Sequence, residues 1–167
     1  MSMQQRVEAE FEPQTAMIFE YIETLALIER LHRLLLDVIK DEFERLGRLD
    51  INSVQALLLY NIGENEVTAG ELKSRGYYQG SNVSYNLKKL VDAGYMHHQR
   101  CEIDRRAVRI SLTEEGRKIR DVVAKLFERH SNDLQQRTDT NKDAMRDMIR
   151  NLRGMERFWT EQIRYIY

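Results

Sequence analysis

The sequence has one cysteine, Cys101, in 167 residues. That excludes an internal disulfide framework and suits a reducing cytosol. Proline is just as scarce, at Pro13 alone, and there are only 8 glycines. So few breakers exclude collagen-like and proline-rich chains and point to a helix-rich globular protein. No apolar run reaches the roughly 18 residues of a membrane span, so no membrane partner is expected. Residues 1–13 are polar and acidic and lack the apolar centre of a secretory signal, which fits a cytoplasmic, bacterial protein. Neither charge sign is in excess, because 26 Lys and Arg face 27 Asp and Glu. A Gly-rich phosphate loop, H-E-x-x-H, G-x-S-x-G and a prominent carboxylate pair are all missing, so no enzyme and no cofactor are expected.

What the chain does have is periodicity. Residues 1–14 lack it and read as a flexible N-terminal arm. From Thr15, Ile18, Tyr21, Ile22, Leu25, Ile28, Leu35, Ile39, Phe43 and Leu46 recur at three- and four-residue steps up to Gly47, predicting a helix of about 30 residues. Asn52 and Ser53 are cap types before a short apolar helix, 54–62, stopped by Gly63. Thr68 and Glu71 fit a capping box for a second short helix, 69–75. After a Tyr77–Gly80 turn, a third helix runs to Ala93 and closes at Gly94, with Val83, Leu87, Leu90 and Val91 as its apolar stripe. The period then changes to two over 95–100 and 108–112, and the segment between, 101–107, is polar like a hairpin tip. Two more helices follow, one opened by Thr113 and one running from about 142 to the end.

Three helices, a strand, a charged tip and a strand make a winged helix-turn-helix, expected over 48–112. The fold class is therefore mainly α: a DNA-binding module with a small β-hairpin wing. Residues 15–47 and 113–167 would form an all-α domain around it. The charge distribution agrees. Residues 70–110 carry eight basic side chains and four acidic ones, so this stretch is +4 while the remainder is −5. A basic face on an acidic body is an electrostatic footprint for phosphate. On charge alone, a solvated helix and hairpin is the plain alternative.

The chain also resembles the MarR-type winged-helix transcriptional regulators. Leu87, Leu90, Gly94 and Tyr95 carry the match, with the run from Asp104-Arg105-Arg106 through Leu112-Thr113-Glu114-Glu115-Gly116. The family's wing reads D-x-R, a few strand residues, then L-T-x-x-G. The resemblance implies that residues 15–47 and 113–167 are an all-α dimerisation domain. The stretch from Gly76 to Asn86 is similar to an alphaproteobacterial branch that includes regulators of L,D-transpeptidase genes. The recognition helix holds fewer arginines than is usual in the family.

Residue roles follow. A recognition helix in the major groove would present Ser81, Asn82, Ser84, Tyr85 and Asn86 to bases or phosphates, since Asn pairs with adenine and Ser serves either role. Lys88, Lys89 and Arg100 would meet phosphate, which positions without specifying. Gln55 and Thr68 stand at helix starts, where backbone N–H groups favour phosphate. The resemblance implies that Arg105 or Arg106 enters the minor groove. Asp104 would brace the wing by an ion pair, because phosphate repels a carboxylate.

The last helix carries an apolar stripe, Ile149, Leu152, Met155, Phe158, Trp159 and Ile163, with no partner inside a winged module of this size. Intramolecular core competes with a dimer interface here; Phe158 and Trp159, near a chain end, favour the dimer. A homodimer would read a palindromic operator in double-stranded DNA, with half-sites about 34 Å apart. The resemblance further implies a small aromatic or phenolic effector, with His32, Phe43, Tyr60 and Tyr77 as candidate contacts. Ordinary packing is the competing account of each.

Two other readings stay open. Cys101 beside Arg100 has a cationic neighbour that can lower a thiol pKa, which makes redox sensing an alternative to an incidental thiol. In the family the sensing cysteine lies near the chain start, and this one does not. His97, His98, Cys101 and Glu102 do not make a good metal set, because adjacent strand residues point to opposite faces; no metal is expected. A winged-helix protein-interaction module is the remaining alternative, and the basic wing argues against it.

Overall fold

The computed structural model describes residues 3–64, 67–68, 71–72, 80–100 and 108–166. Tyr77, Cys101, Glu102, Asp104, Arg105 and Arg106 lie outside the described residues, and so do the side chains of Ser81, Asn82, Val83 and Arg100. The elements run α1 (Met3–Arg45), α2 (Ser53–Ile62), β1 (Val67–Thr68), α3 (Gly80–Asp92), β2 (Met96–Arg100), β3 (Val108–Leu112), α4 (Glu114–Arg137) and α5 (Lys142–Ile166). The chain divides into two compact units, Met1–Val123 and Ala124–Tyr167.

Helix α1 is 43 residues long and starts at Met3, where the apolar pattern placed the start at Thr15. The added turns hold Gln4, Gln5, Arg6, Glu8, Ala9 and Glu10, all good helix formers without an apolar stripe. Pro13 lies within the helix and supplies no backbone N–H to it. Among the residues of α1 whose burial is described, Ile39 and Phe43, at its C-terminal end, are the apolar side chains that enter the core of the first unit. Met17, Ile18, Phe19, Ile22, Leu27, Ile28, Leu31 and Leu34 are exposed, with Phe19 at 70%.

Helix α2 is apolar nearly all round, and Ala56, Leu57, Leu58, Leu59 and Ile62 are buried. A helix without a polar face has to sit inside. Asn52 caps it: the Asn52 side chain accepts from Gln55 N at 2.9 Å, and Asn52 N donates to the Gln55 side chain at 3.2 Å. Val67, Leu72, Leu87, Leu90, Met96, Ile110, Leu112, Ile119 and Val123 complete this core.

The sheet has three antiparallel strands in the order β1-β3-β2. Met96 faces Leu112, His98 faces Ile110 and Arg100 faces Val108. The hairpin was expected and β1 was not. Val67 pairs with Ile110 and Thr68 with Arg109, and a two-residue strand is too short to show alternation. Thr68 serves two elements, ending β1 and closing the expected capping box with Glu71.

In the second unit, Asn141 caps α5, its Oδ1 accepting from Asp143 N and Ala144 N at 3.0 Å each. Ile149, Leu152, Phe158, Trp159 and Ile163 are exposed on α5, Phe158 at 54%, and Met155 is half-buried.

Candidate nucleic-acid interface

The sequence of α3 gives it two chemically different faces. Leu87 and Leu90 are buried and Val91 half-buried, which fastens the inner face. Ser84, Tyr85, Lys88 and Lys89, at i, i+1, i+4 and i+5, fall on one outward face, with the half-buried Asn86 at its edge. Tyr85 is 63% exposed. The Lys89 ammonium lies 5.8 Å from the Tyr85 ring centroid, within reach of the ring's quadrupole.

Several basic side chains of the protein are neutralised locally. Arg45 pairs with Glu42, Lys118 with Glu115, and Arg120 with Asp121 and Glu64. Among the described residues, no carboxylate pairs with Lys88 or Lys89. Their positive charge faces solvent, which is what a phosphate contact requires.

The wing strands continue from this helix. Met96, Ile110 and Leu112 point inward, while His97, His98, Gln99 and Arg109 are exposed. Among the described residues, no three His, Cys, Asp or Glu side chains come together as a metal site.

Gly94 joins the helix to the wing. Gly94 N donates to Val91 O at 3.0 Å and Tyr95 N to Leu90 O at 2.9 Å, a glycine-closed end with Gly94 at φ +78°. The start of α4 then locks onto the same junction. Thr113 N donates to Tyr95 O at 3.1 Å and Thr113 Oγ1 to Gly94 O at 2.8 Å, while Gly116 N donates to Thr113 Oγ1 at 3.1 Å. The glycine of the L-T-x-x-G run now has a reason. A Cβ on Gly116 would lie 2.1 Å from Tyr95 O, so only glycine allows this approach.

The Tyr95 hydroxyl donates to Asp50 Oδ2 and accepts from Arg48 Nη2 at 3.1 Å, and Arg48 Nε donates to Asp50 Oδ1 at 3.1 Å. Bonds first from Arg48 and then from Tyr95 hold the Asp50 carboxyl down at about 2. Burial, reinforced by the bond to Asp50, pushes the Tyr95 phenol up. Asp50 also raises the Arg48 guanidinium, so the pair stays charged at neutral pH. The tie of Arg48 and Asp50 to Tyr95 had no signal in the sequence, because Tyr95 is 45 or more residues away.

The Gln55 side-chain oxygen is engaged in the α2 cap, and the Thr68 N–H and hydroxyl in the cap with Glu71. His32 is exposed on α1, while Phe43 is buried 11 residues further along, about 16 Å down the axis. A small ligand does not span both within one chain. Tyr60 is half-buried on α2.

Comparisons with known proteins agree with this geometry. The Winged helix DNA-binding domain family matches residues 51–116. The exopolysaccharide II synthesis transcriptional activator ExpG of Rhizobium meliloti (strain 1021) is 33% identical over 145 residues, covering 87% of this chain and 74% of the relative. Among solved structures, a MarR transcriptional regulator from Methanosarcina mazei Go1 matches with a TM-score of 0.66 and 26% identity, over 85% of this chain and 98% of that one. Streptococcus pneumoniae FabT, solved in complex with DNA, has the same fold, with a TM-score of 0.66 and 19% identity over 85% of this chain and 99% of that one. The chain belongs to the MarR family of winged-helix transcriptional regulators. It is a transcriptional regulator with a MarR-type winged-helix DNA-binding domain.

Proposed function

We propose that the protein acts as a homodimer that reads a palindromic operator and releases or rearranges on it when a small aromatic effector binds. The outward face of α3 carries this reading: Ser84, Tyr85, Lys88 and Lys89 stand together, and neither lysine has a carboxylate partner among the described residues. Ser81, Asn82 and Asn86 belong to the same helix and extend the base-reading set. Lys88, Lys89 and Arg100 neutralise phosphate, Arg105 or Arg106 reaches the minor groove, and Asp104 braces the wing.

The dimer reading rests on apolar surface. Exposed apolar stripes on α1 and α5, including Phe19, Phe158 and Trp159, are too much for a soluble monomer to leave bare, and a second copy covers them. Residues 15–47 and 113–167 then act as the dimerisation domain and 48–112 as the DNA-binding domain. FabT supports the DNA role by fold, since that relative was solved on DNA. Phe43, Tyr60 and Tyr77 are the aromatic candidates for the effector, and His32 stands about 16 Å along the α1 axis from Phe43. An effector acts by changing the distance between the two recognition helices.

The test combines operator selection from genomic duplexes with fluorescence anisotropy at two salt concentrations. The expected result is an inverted repeat with half-sites one turn apart, bound more weakly at high salt. Absence of binding to every duplex at low salt would refute the DNA-reading function. Benzoate and phenol titrated against the complex test the effector; an unchanged dissociation constant with a panel of such compounds would remove it.

A further inference from the structure

We propose that Arg48, Asp50 and Tyr95 form a clasp that positions the recognition helix and the wing against the end of α1, making them positioning residues for DNA binding. The inference rests on the DNA-binding reading and adds to it a set of positioning residues.

Two glycine-closed helix ends meet here. At the end of α1, Gly47 N donates to Glu44 O at 3.0 Å and Arg48 N to Phe43 O at 2.9 Å. At the end of α3, Gly94 and Tyr95 make the same pair of bonds to Val91 and Leu90. In each case one residue follows the left-handed glycine, with a direction set by the cap. These two residues, Arg48 and Tyr95, bond to each other, and Asp50 accepts from both. The carboxylate therefore ties the α1–α2 corner to the point where α3 ends and β2 begins. The backbone of Tyr95 holds the start of α4 at the same point.

Apolar packing fixes distance better than rotation, whereas hydrogen bonds are directional. The Leu90, Met96 and Leu112 core keeps the wing near the body; the clasp sets how the helix and strands are turned on it. The Arg48 and Asp50 side chains are 38% and 51% exposed. A pair so exposed adds little to stability. Its loss is thus expected to alter geometry more than folding.

The test uses Tyr95→Phe and Asp50→Asn in the full chain. Hydrogen exchange on the free protein should quicken in 96–100 and 108–112 while the amides of 57–59 in α2 stay protected. On the selected operator, affinity should fall about fivefold or more. The plot of log affinity against log salt should become shallower by about 0.9 for each phosphate that the turned helix and wing no longer neutralise. A merely structural role would accelerate exchange everywhere and lower the binding-competent fraction without moving that slope; such a result overturns the proposal. Asp50→Asn, at a half-exposed site, keeps the test decisive if removing the Tyr95 hydroxyl prevents folding. Wild-type binding with both variants unchanged in exchange, affinity and slope refutes the clasp alone. A wild-type chain that binds no duplex removes the DNA reading and the clasp's role with it.

Discussion

Replacing Gly116 by alanine tests how the recognition helix, the wing and α4 are locked together. In an ordinary first turn of a helix, Gly→Ala stabilises by about 0.5–1 kcal/mol, because alanine loses less backbone entropy. Here the new methyl would lie 2.1 Å from Tyr95 O and 3.1 Å from Tyr95 C, with Leu112 Cβ behind at 3.5 Å. The neighbour is backbone and cannot rotate away, so α4 or the junction must shift by more than an ångström to restore contact distance. Overpacking of this kind costs about 1–3 kcal/mol. The shift also breaks the Thr113 N bond to Tyr95 O and strains the Thr113 cap, adding about 1 kcal/mol. After the propensity gain, the net loss is about 2 kcal/mol. For a chain of this size that lowers Tm by roughly 4–8 °C. Scanning calorimetry at one fixed protein concentration is the assay, since assembly would otherwise move Tm. An unchanged or raised Tm would refute the close approach and, with it, the stated reason for glycine in L-T-x-x-G.

Four further outcomes are expected. Asn52→Ala, which removes the α2 cap, should cost about 1 kcal/mol in urea unfolding, and no measurable change would show the cap to be idle. Lys89→Ala should weaken binding to all duplexes and lower the salt slope by about 0.9; loss confined to one operator with the slope kept would contradict a phosphate role. Because Asp50 is held at about 2, below its ordinary 3.8, its contribution to stability, small for so exposed a pair, is complete above about pH 5 and is lost as pH falls through 2. Acid unfolding of Asp50→Asn should lack that part of the slope. Phe158→Lys with Trp159→Lys should shift light-scattering mass toward the monomer at micromolar concentration, and an unchanged mass would move the interface elsewhere.

Much of the architecture can be read along the chain. The glycine stops at Gly47, Gly63 and Gly94, the caps at Asn52, Thr68 and Thr113, and the switch from period 3.6 to period 2 at Tyr95 all stand in the structure as local events. Each involves residues within about five positions, so hydrogen bonding and side-chain alternation suffice to reveal it. The outward α3 face is equally legible, because Leu87 and Leu90 mark the inner side.

Other features depend on segments far apart in the chain. The stripe on α1 announces a helix but not that Ile39 and Phe43 enter a core while Ile18 and Ile22 stay bare; periodicity carries no information about what covers a face. Strand β1 exists because β3 offers it a pairing edge. Gly116 reads as a motif letter until Tyr95 O is seen beneath it. That the Gln55 side-chain oxygen closes the α2 cap is visible only in the structure. Arg48, Asp50 and Tyr95, separated by up to 47 positions, become one hydrogen-bonded group only when two helix ends are brought together. Local chemistry thus specifies where elements begin, end and turn their apolar sides. Which ends meet is set by packing of the whole unit, since a contact between distant segments leaves no periodic trace in either one.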